Sequence, residues 1–262
     1  MVNIDHDAKA MAKRLHAANF RSIMVQTHVG PLSRHPVKTV VDYLEPYRAL
    51  DFAIGHWGYL TDNPEADAEC AMYWDGCLKP RFYVPNAEIE YKYTGPDGKA
   101  NVVAFGRSDR FCNAYSTTTT TVGLSTYGRC DKADLHYAPW LNELNGRILP
   151  QAYMNEQGIT WTPSACFSGA IDVKQPQNIM HHPVTGRAIS GFPKSYVHCT
   201  IGKLDSKEDK FPTDVDQWIT GLIAAKKAGH TVGFTVYEAE NSSDADLAKL
   251  GKAIKDYKLA VV

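Results

Sequence analysis

The sequence predicts one α/β domain over residues 1–262, a single (β/α)8 TIM barrel with a long loop between strands six and seven. Short apolar runs alternate with amphipathic stretches along the chain, and this alternation is typical of a parallel sheet covered by helices. The length of 262 residues is normal for a barrel of this kind. A composition of 44% hydrophobic and 22% charged residues excludes a disordered, collagen-like or coiled-coil chain.

Eight segments fit the strands of this barrel because each is a short β-rich run. The predicted strands are Val2–Ile4, Ser22–His28, Leu50–Tyr59, Arg81–Tyr91, Thr121–Tyr127, Arg147–Asn155, Tyr196–Ile201 and Thr231–Ala239. The predicted helices are Asp7–Ala18, Val37–Tyr47, Pro64–Trp74, Val102–Ala114, Asp131–Leu144, Val215–Ala228 and Ser243–Tyr257. Their ends carry helix signals: Asn63 precedes Pro64, Ser243 is followed by Asp246, and Gly229 stands where a C-cap belongs.

The connection from about Glu156 to Ser195 interrupts the alternation. It is rich in Pro, Gly, Gln, Asn and His, and we interpret it as an elaborated loop over the mouth of the barrel. A doubly wound open sheet is the alternative architecture. The chain contains neither a GxGxxG nor a GxxxxGK[ST] motif to favour it.

The charge balance predicts a neutral or small ligand. The chain has 28 Lys and Arg against 29 Asp and Glu, a net charge of −1, which gives no electrostatic footprint for nucleic acid or an anionic membrane. No apolar run approaches the roughly 18 residues of a membrane span, and the N-terminus lacks the pattern of a secretory signal. We expect a soluble protein without a signal peptide, cytoplasmic or else released or virion-associated, with no nucleic-acid or membrane partner.

The cysteines and histidines do not follow metal-binding spacings. The six cysteines are Cys70, Cys77, Cys112, Cys130, Cys166 and Cys199. We expect buried reduced thiols, with one or two disulfides or metal ligation as the alternatives. His181 and His182 stand together without HExxH spacing, so we expect no metal site and no cofactor.

The end of the fourth predicted strand carries the strongest chemical signal. Strand alternation puts Asn86, Glu88 and Glu90 on one face and Ala87 and Ile89 on the other. Two carboxylates pointing into a barrel would crowd like charges, which favours retention of a proton by one of them, as a general acid requires. The alternative is an amphipathic edge strand whose polar side faces solvent.

Other strand ends add side chains suited to sugars. Strand six ends with Gln151, Tyr153 and Asn155 on one face, and amides and a tyrosine match the stacking and hydrogen bonding that sugars need. The remaining candidates for ligand binding at strand ends are His56, Trp57, Tyr127 and Tyr237. In a barrel the chemistry lies at the carboxyl ends of the strands, so these groups are expected to meet at one rim. A single histidine there is more often structural.

The run Asn86-x-Glu88-x-Glu90-Tyr91 resembles the DxDxE signature of family-18 chitinase-like barrels and the DxE pair of family-25 lysozymes, both of which carry their acids at the end of strand four. The segments Gln151–Asn155 and Gly233–Tyr237 are similar to strand six and the final strand of the first family. The resemblance implies that Glu90 is the general acid, and that Glu88 orients an N-acetyl group or stabilises charge. It also implies that Tyr153 and Tyr237 are binding aromatics.

Two departures accompany this resemblance: Asn86 replaces the first acid, and Glu88 replaces an aspartate. Barrels of this kind also occur in bacteriophage lysins and tail proteins, some of which bind cell-wall glycans without cleaving them. Two functions therefore stay open. One is hydrolysis of a β-linked, N-acetylated glycan of cell-wall or chitin type. The other is a non-catalytic glycan-binding or structural barrel, for example in a bacteriophage tail, assembled into a larger particle.

Overall fold

The computed structural model describes residues 4, 6–94, 101–116, 120–144, 146–154, 161–171, 179–181, 187–190, 197, 199–201, 214–230, 233–237 and 239–261. Strands and helices alternate through these ranges, which confirms a mixed α/β fold with a mostly parallel sheet. Among the described helices, none has the length and apolar character needed to span a bilayer.

The described strands are β1 Ser22–Val29, β2 Leu32–Ser33, β3 Ala53–Tyr59, β4 Phe82–Asn86, β5 Thr121–Tyr127, β6 Arg147–Ala152, β7 Ile179–His181, β8 Ala188–Ser190, β9 Cys199–Ile201, β10 Gly233–Val236 and β11 Ala260–Val261. Nine of these described strands form the main sheet, in the order β11-β10-β9-β6-β5-β4-β3-β1-β2, and β7 pairs antiparallel with β8 in a separate sheet. Among the described strands of this sheet, only β2 pairs antiparallel. The other strands therefore present their carboxyl ends on one side.

The helices cover the outer face of the sheet. They are α1 Ala8–Ala17, α2 Val37–Arg48, α3 Pro64–Leu78, α4 Val102–Tyr115, α5 Ala138–Asn142, α6 Pro163–Ile171, α7 Val215–Lys227 and α8 Asp244–Tyr257. Several begin where a polar side chain accepts a backbone N–H bond, as Asp7, Asn101, Asp214 and Ser243 do. Trp74, Trp140 and Trp218 are fully buried in the core between these helices and the sheet.

The inner face of the sheet has its own small apolar cluster. Met24, Phe82, Val84 and Leu149 are buried there, with Trp57 packed against them. Gly55 makes room for Phe82, because a Cβ at Gly55 would lie 2.1 Å from the phenylalanine ring. Side chains on this inner face thus come from β1, β3, β4 and β6.

The sheet curls strongly around this inner cluster. Trp57 in β3 and Tyr237 at the end of β10 have ring centroids 6.3 Å apart. The two strands are five places apart in the ladder, and a flat sheet would separate them by about 24 Å at about 4.8 Å per strand. The outer layer also closes, since Arg14 of α1 pairs with Asp244 of α8. No backbone pair between β11 and β1 occurs within the described ranges.

Some sequence-based boundaries need correction. The predicted strand Val2–Ile4 lies outside the described residues except for Ile4, which is in a turn. The fourth predicted strand ends at Asn86, and a 3-10 turn over Ile89–Tyr91 follows it. Strand alternation therefore does not relate Glu88 to Glu90.

Two further segments differ from the prediction. The helix predicted over Asp131–Leu144 is a 3-10 turn at Cys130–Lys132 followed by the short helix α5. The predicted long loop before β9 contains helix α6 and the β7–β8 hairpin. The five cysteines whose side chains are described, which exclude Cys199, are free thiols.

Candidate functional site

A network of amides and a carboxylate occupies the carboxyl ends of β4, β5 and β6. Asn86 Nδ2 donates to Glu88 Oε1 at 2.8 Å. Gln151 Nε2 lies 2.9 Å from Asn86 Oδ1, 3.2 Å from Glu88 Oε1 and 3.2 Å from Ser125 Oγ. Because an amide has two N–H bonds, Gln151 can serve two of these acceptors at once. The network fixes the orientation of the half-buried Glu88 carboxylate.

Glu90 is held by a tyrosine of the neighbouring strand. The Tyr59 hydroxyl donates to Glu90 Oε2 at 2.9 Å. Burial raises the pKa of Tyr59, and its hydrogen bond to Glu90 and the charges of Glu90 and Glu88 raise it further, so the hydroxyl stays protonated and remains a donor. Arg107 of α4 also donates to the backbone oxygen of Glu90. Glu90 is half-buried in a turn anchored by the fully buried Tyr91.

Tyr127 of β5 lies near both glutamates. It is the last residue of that strand, and its register partner on β6 is Gln151. Burial raises the pKa of the Tyr127 hydroxyl, and the charges of Glu88 and Glu90 raise it further. Both carboxylates therefore act on the same half-buried ring.

Three half-buried aromatic residues stand beside this network. Tyr153 stacks on Tyr237 with ring centroids 6.0 Å apart, and Trp57 packs on Tyr237 in a T-shaped arrangement with ring centroids 6.3 Å apart. Trp57 lies two residues before Tyr59, and Tyr153 lies two residues after Gln151. We call Trp57, Tyr153 and Tyr237 the aromatic cluster, Glu88 and Glu90 the carboxylate pair, and the space they border the cleft.

His56 lies on the opposite side of the sheet from the cleft. It is fully buried, its Nε2 is 3.0 Å from Asp75 Oδ1, and its Nδ1 is 2.9 Å from Thr27 Oγ1. The ring also stacks on Tyr83 at 4.5 Å. Since Trp57 faces inward, strand alternation turns its neighbour His56 toward the helices, so His56 is not part of the cleft.

Of the remaining predicted site residues, all but one lie close together in the structure. The structure brings Asn86, Glu88, Glu90, Tyr127 and Gln151 into one neighbourhood, whereas Asn155 lies outside the described residues.

Sequence reasoning omitted Tyr59 and Ser125 as site residues. Both could have been found, because residues two apart on a strand share a face. Tyr59 lies two residues after Trp57, and Ser125 lies two residues before Tyr127. Within the described ranges, no three His, Cys, Asp or Glu side chains gather as a metal ion would require.

The strand order bears on the expected role of the acids. Counted along the described parallel strands, β4 is the third and β5 is the fourth. The count that made Arg81–Tyr91 the fourth strand included Val2–Ile4. The fourth described parallel strand, Thr121–Tyr127, contains no carboxylate.

Comparisons with known proteins identify similar folds. A GH18 chitinase from Pseudoalteromonas aurantia matches with a TM-score of 0.60 and 9% identity, over 91% of this chain and 94% of that one. The Legionella pneumophila ChiA C-terminal domain matches with a TM-score of 0.55 and 13% identity, over 94% and 93% of the two chains. No family model and no curated protein matches the sequence. Because the sequence identities are only 9% and 13%, these matches show a shared fold alone, a GH18-like α/β fold.

Proposed function

We propose that the chain binds a β-linked glycan of N-acetylated sugars, of chitin or cell-wall type, in the cleft and hydrolyses it. The observation that carries this proposal is the carboxylate pair beside the aromatic cluster, with Gln151 hydrogen-bonded to Glu88 two residues before Tyr153. The similarity in fold to a GH18 chitinase and to a ChiA domain supports it. We also propose that the curled sheet closes into a complete (β/α)8 barrel.

The aromatic cluster and the amide network suit different parts of such a sugar. The faces of Tyr153, Tyr237 and Trp57 offer apolar surfaces on which a pyranose ring stacks. Gln151 and Asn86 supply paired donors and acceptors for hydroxyl groups. The Glu88 carboxylate, already oriented by amide donors, accepts a hydrogen bond from an acetamido N–H.

In the hydrolytic reaction Glu90 is the general acid and Glu88 is the assisting carboxylate. Tyr59 engages Glu90 Oε2, so Oε1 is the oxygen that delivers a proton to the glycosidic oxygen as the bond to the anomeric carbon breaks. Glu88 or the acetamido group of the substrate stabilises the oxocarbenium-like transition state. A water molecule then adds to the anomeric carbon and returns a proton to Glu90.

Two observations favour the second candidate, a non-catalytic glycan-binding barrel. The acids follow the third described parallel strand, whereas the chitinase-like resemblance implies the fourth. Asn86 also stands where the resemblance implies an acid. A displaced acid loses catalysis steeply, since about 1 Å can cost about 100-fold in rate, whereas stacking and hydrogen bonding tolerate such a shift.

A reducing-end assay separates the two candidates. Wild type, Glu90→Gln and Glu88→Gln are incubated with chitin oligosaccharides and peptidoglycan from pH 4 to 8, and binding of the same oligosaccharides is measured by calorimetry. Hydrolysis predicts release by wild type and a loss of at least about 100-fold in Glu90→Gln, with binding retained. Binding without release at any pH rejects hydrolysis and supports the second candidate. Absence of both binding and release rejects the proposal.

A further inference from the structure

A second, basic pocket includes Tyr127, the strand β5 residue near the carboxylate pair. It has a volume of about 230 Å³ and is lined by Lys92, Tyr127, Arg129, Lys132, Ala133 and Trp161. This is below the roughly 300–1,000 Å³ of sites for drug-sized ligands, so it fits one substituent or one sugar ring. We call these six residues the basic pocket.

The charge of the basic pocket is positive. Arg129 forms a two-point ion pair with Asp131, at 2.9 Å and 2.7 Å, and this pair holds the pKa of Asp131 below its usual range. Lys92 and Lys132 are exposed and form no ion pair with a carboxylate among the described residues. The Lys92 ammonium lies 5.9 Å from the centre of the Tyr127 ring, within the range of a cation–π contact.

The walls of the basic pocket are built by close backbone packing. A Cβ at Gly128 would lie 2.4 Å from the Trp161 ring, so the indole rests directly on the backbone there. A Cβ at Gly169 of α6 would lie 2.4 Å from Asp131 Oδ1, so the helix packs against the Arg129–Asp131 ion pair. The indole and the ion pair are therefore fixed in place, while Lys92 and Lys132 line the pocket and are exposed to solvent.

The basic pocket and the cleft share a wall but carry opposite charge. Tyr127 lines the pocket, and its strand partner Gln151 binds Glu88. An anion placed at the carboxylate pair would be repelled, whereas an anion placed between Lys92 and Lys132 would be attracted. A ligand that fills both spaces must be neutral at one end and negatively charged at the other.

We propose, on the basis of the function proposed above, that the preferred glycan is acidic: a neutral N-acetylated sugar lies in the cleft, and an adjoining anionic group, carboxylate or phosphate, lies in the basic pocket between Lys92 and Lys132. The Trp161 and Tyr127 rings contact the sugar that carries this anionic group. Neutral chitin leaves the basic pocket without a counter-charge.

Calorimetric titration with hydrolysis-resistant, sulfur-linked trisaccharides of N-acetylglucosamine tests this proposal. One trisaccharide is neutral, one carries a carboxylate ether on its terminal sugar, one is the methyl ester of that ether, and one carries a phosphate monoester. The proteins are wild type, Lys92→Met/Lys132→Met, the charge-conserving Lys92→Arg/Lys132→Arg, and a control, Lys13→Met/Lys227→Met, at exposed helical lysines.

We expect wild type, the arginine variant and the control to bind at least one anionic trisaccharide about tenfold more tightly than its neutral form. The methionine variant should lose this preference and bind the neutral ligand as wild type does. The carboxylate and phosphate arms identify which anion is preferred. Equal binding of neutral and anionic ligands by wild type, or a preference that survives in the methionine variant, overturns the inference while the proposed function stands. Failure of every trisaccharide to bind rejects the proposed function itself.

Discussion

Replacing Gln151 with leucine tests the hydrogen-bond network that orients Glu88. The Nε2 group lies 2.9 Å from Asn86 Oδ1 and 3.2 Å from Glu88 Oε1, and Gln151 is only 8% exposed. Leucine is of similar size, so the main change is the loss of the donor. A hydrogen bond to a charged group contributes about 1.5–3 kcal/mol and a neutral one about 0.5–1.5 kcal/mol. Because Glu88 is only half-buried, its hydrogen bond contributes near the lower end of its range. We therefore expect Gln151→Leu to lower the free energy of unfolding by about 2 kcal/mol in total.

A double-mutant cycle isolates the part of this loss that belongs to Glu88. Urea unfolding is measured for Gln151→Leu, Glu88→Ala and the double variant, and we expect a coupling energy of about 1 kcal/mol. Gln26→Leu is the matched control, because Gln26 lies on the inner face of β1 with no partner among the described side chains; it should change stability by less than about 0.5 kcal/mol. A coupling energy below about 0.3 kcal/mol would refute the network.

Three further predictions concern acid stability, inner packing and the aromatic cluster. Burial lowers the pKa of His28 to about 4, below its unfolded value of 6.5, so the stability from neutral His28 is present above pH 6.5 and is lost as pH falls toward 4. Between pH 7 and 4.5, the free energy of unfolding of wild type in urea should therefore fall by about 2–3 kcal/mol more than that of His28→Gln. Equal losses in the two proteins would contradict this. Gly55→Ala should destabilise the protein by about 1–3 kcal/mol, because the new Cβ would lie 2.1 Å from the Phe82 ring. Thermal unfolding measures this loss, and an unchanged melting temperature would contradict that packing. Tyr237→Ala should weaken binding of an N-acetylglucosamine oligomer about tenfold, while Tyr237→Phe keeps the ring and near-normal affinity in the same titration; equal affinities of the two variants would remove Tyr237 from the site.

The sequence predicts those parts of the fold that follow from local patterns. Strand β5 has the predicted bounds Thr121–Tyr127, a short β-rich run that ends just before Gly128. Helix α8 begins after Ser243, whose side chain accepts a hydrogen bond from the Asp246 N–H as the capping pattern predicts. These features depend on residues within one turn or one strand repeat of each other.

Other features depend on contacts between distant segments. The chain leaves β4 after Asn86 and turns at Ile89–Tyr91, where Tyr91 is buried and Arg107 of α4 binds the turn. These contacts come from tertiary packing, which overrides the apparent continuation of the strand. Helix α6 was missed for a different reason: Cys166, Phe167 and Ala170 are buried, and a short helix of mostly apolar and small residues lacks a clear polar face.

The candidate site was predicted in part, through the period-two rule. That rule places Trp57 in the cleft and also requires His56 to face the helices, so grouping both residues in one site was inconsistent with a continuous strand. Glu88 and Glu90 stand near each other for a reason that alternation does not supply, since amide donors hold one and Tyr59 holds the other.

A crystal structure of Glu90→Gln soaked with a β-1,4-linked N-acetylglucosamine oligomer tests the central claim most directly. The account predicts a pyranose ring stacked on Tyr237 or Tyr153 and an acetamido group within hydrogen-bond distance of Glu88. An oligomer bound elsewhere on the surface, with an empty cleft in crystals where the cleft is open to solvent, would contradict it.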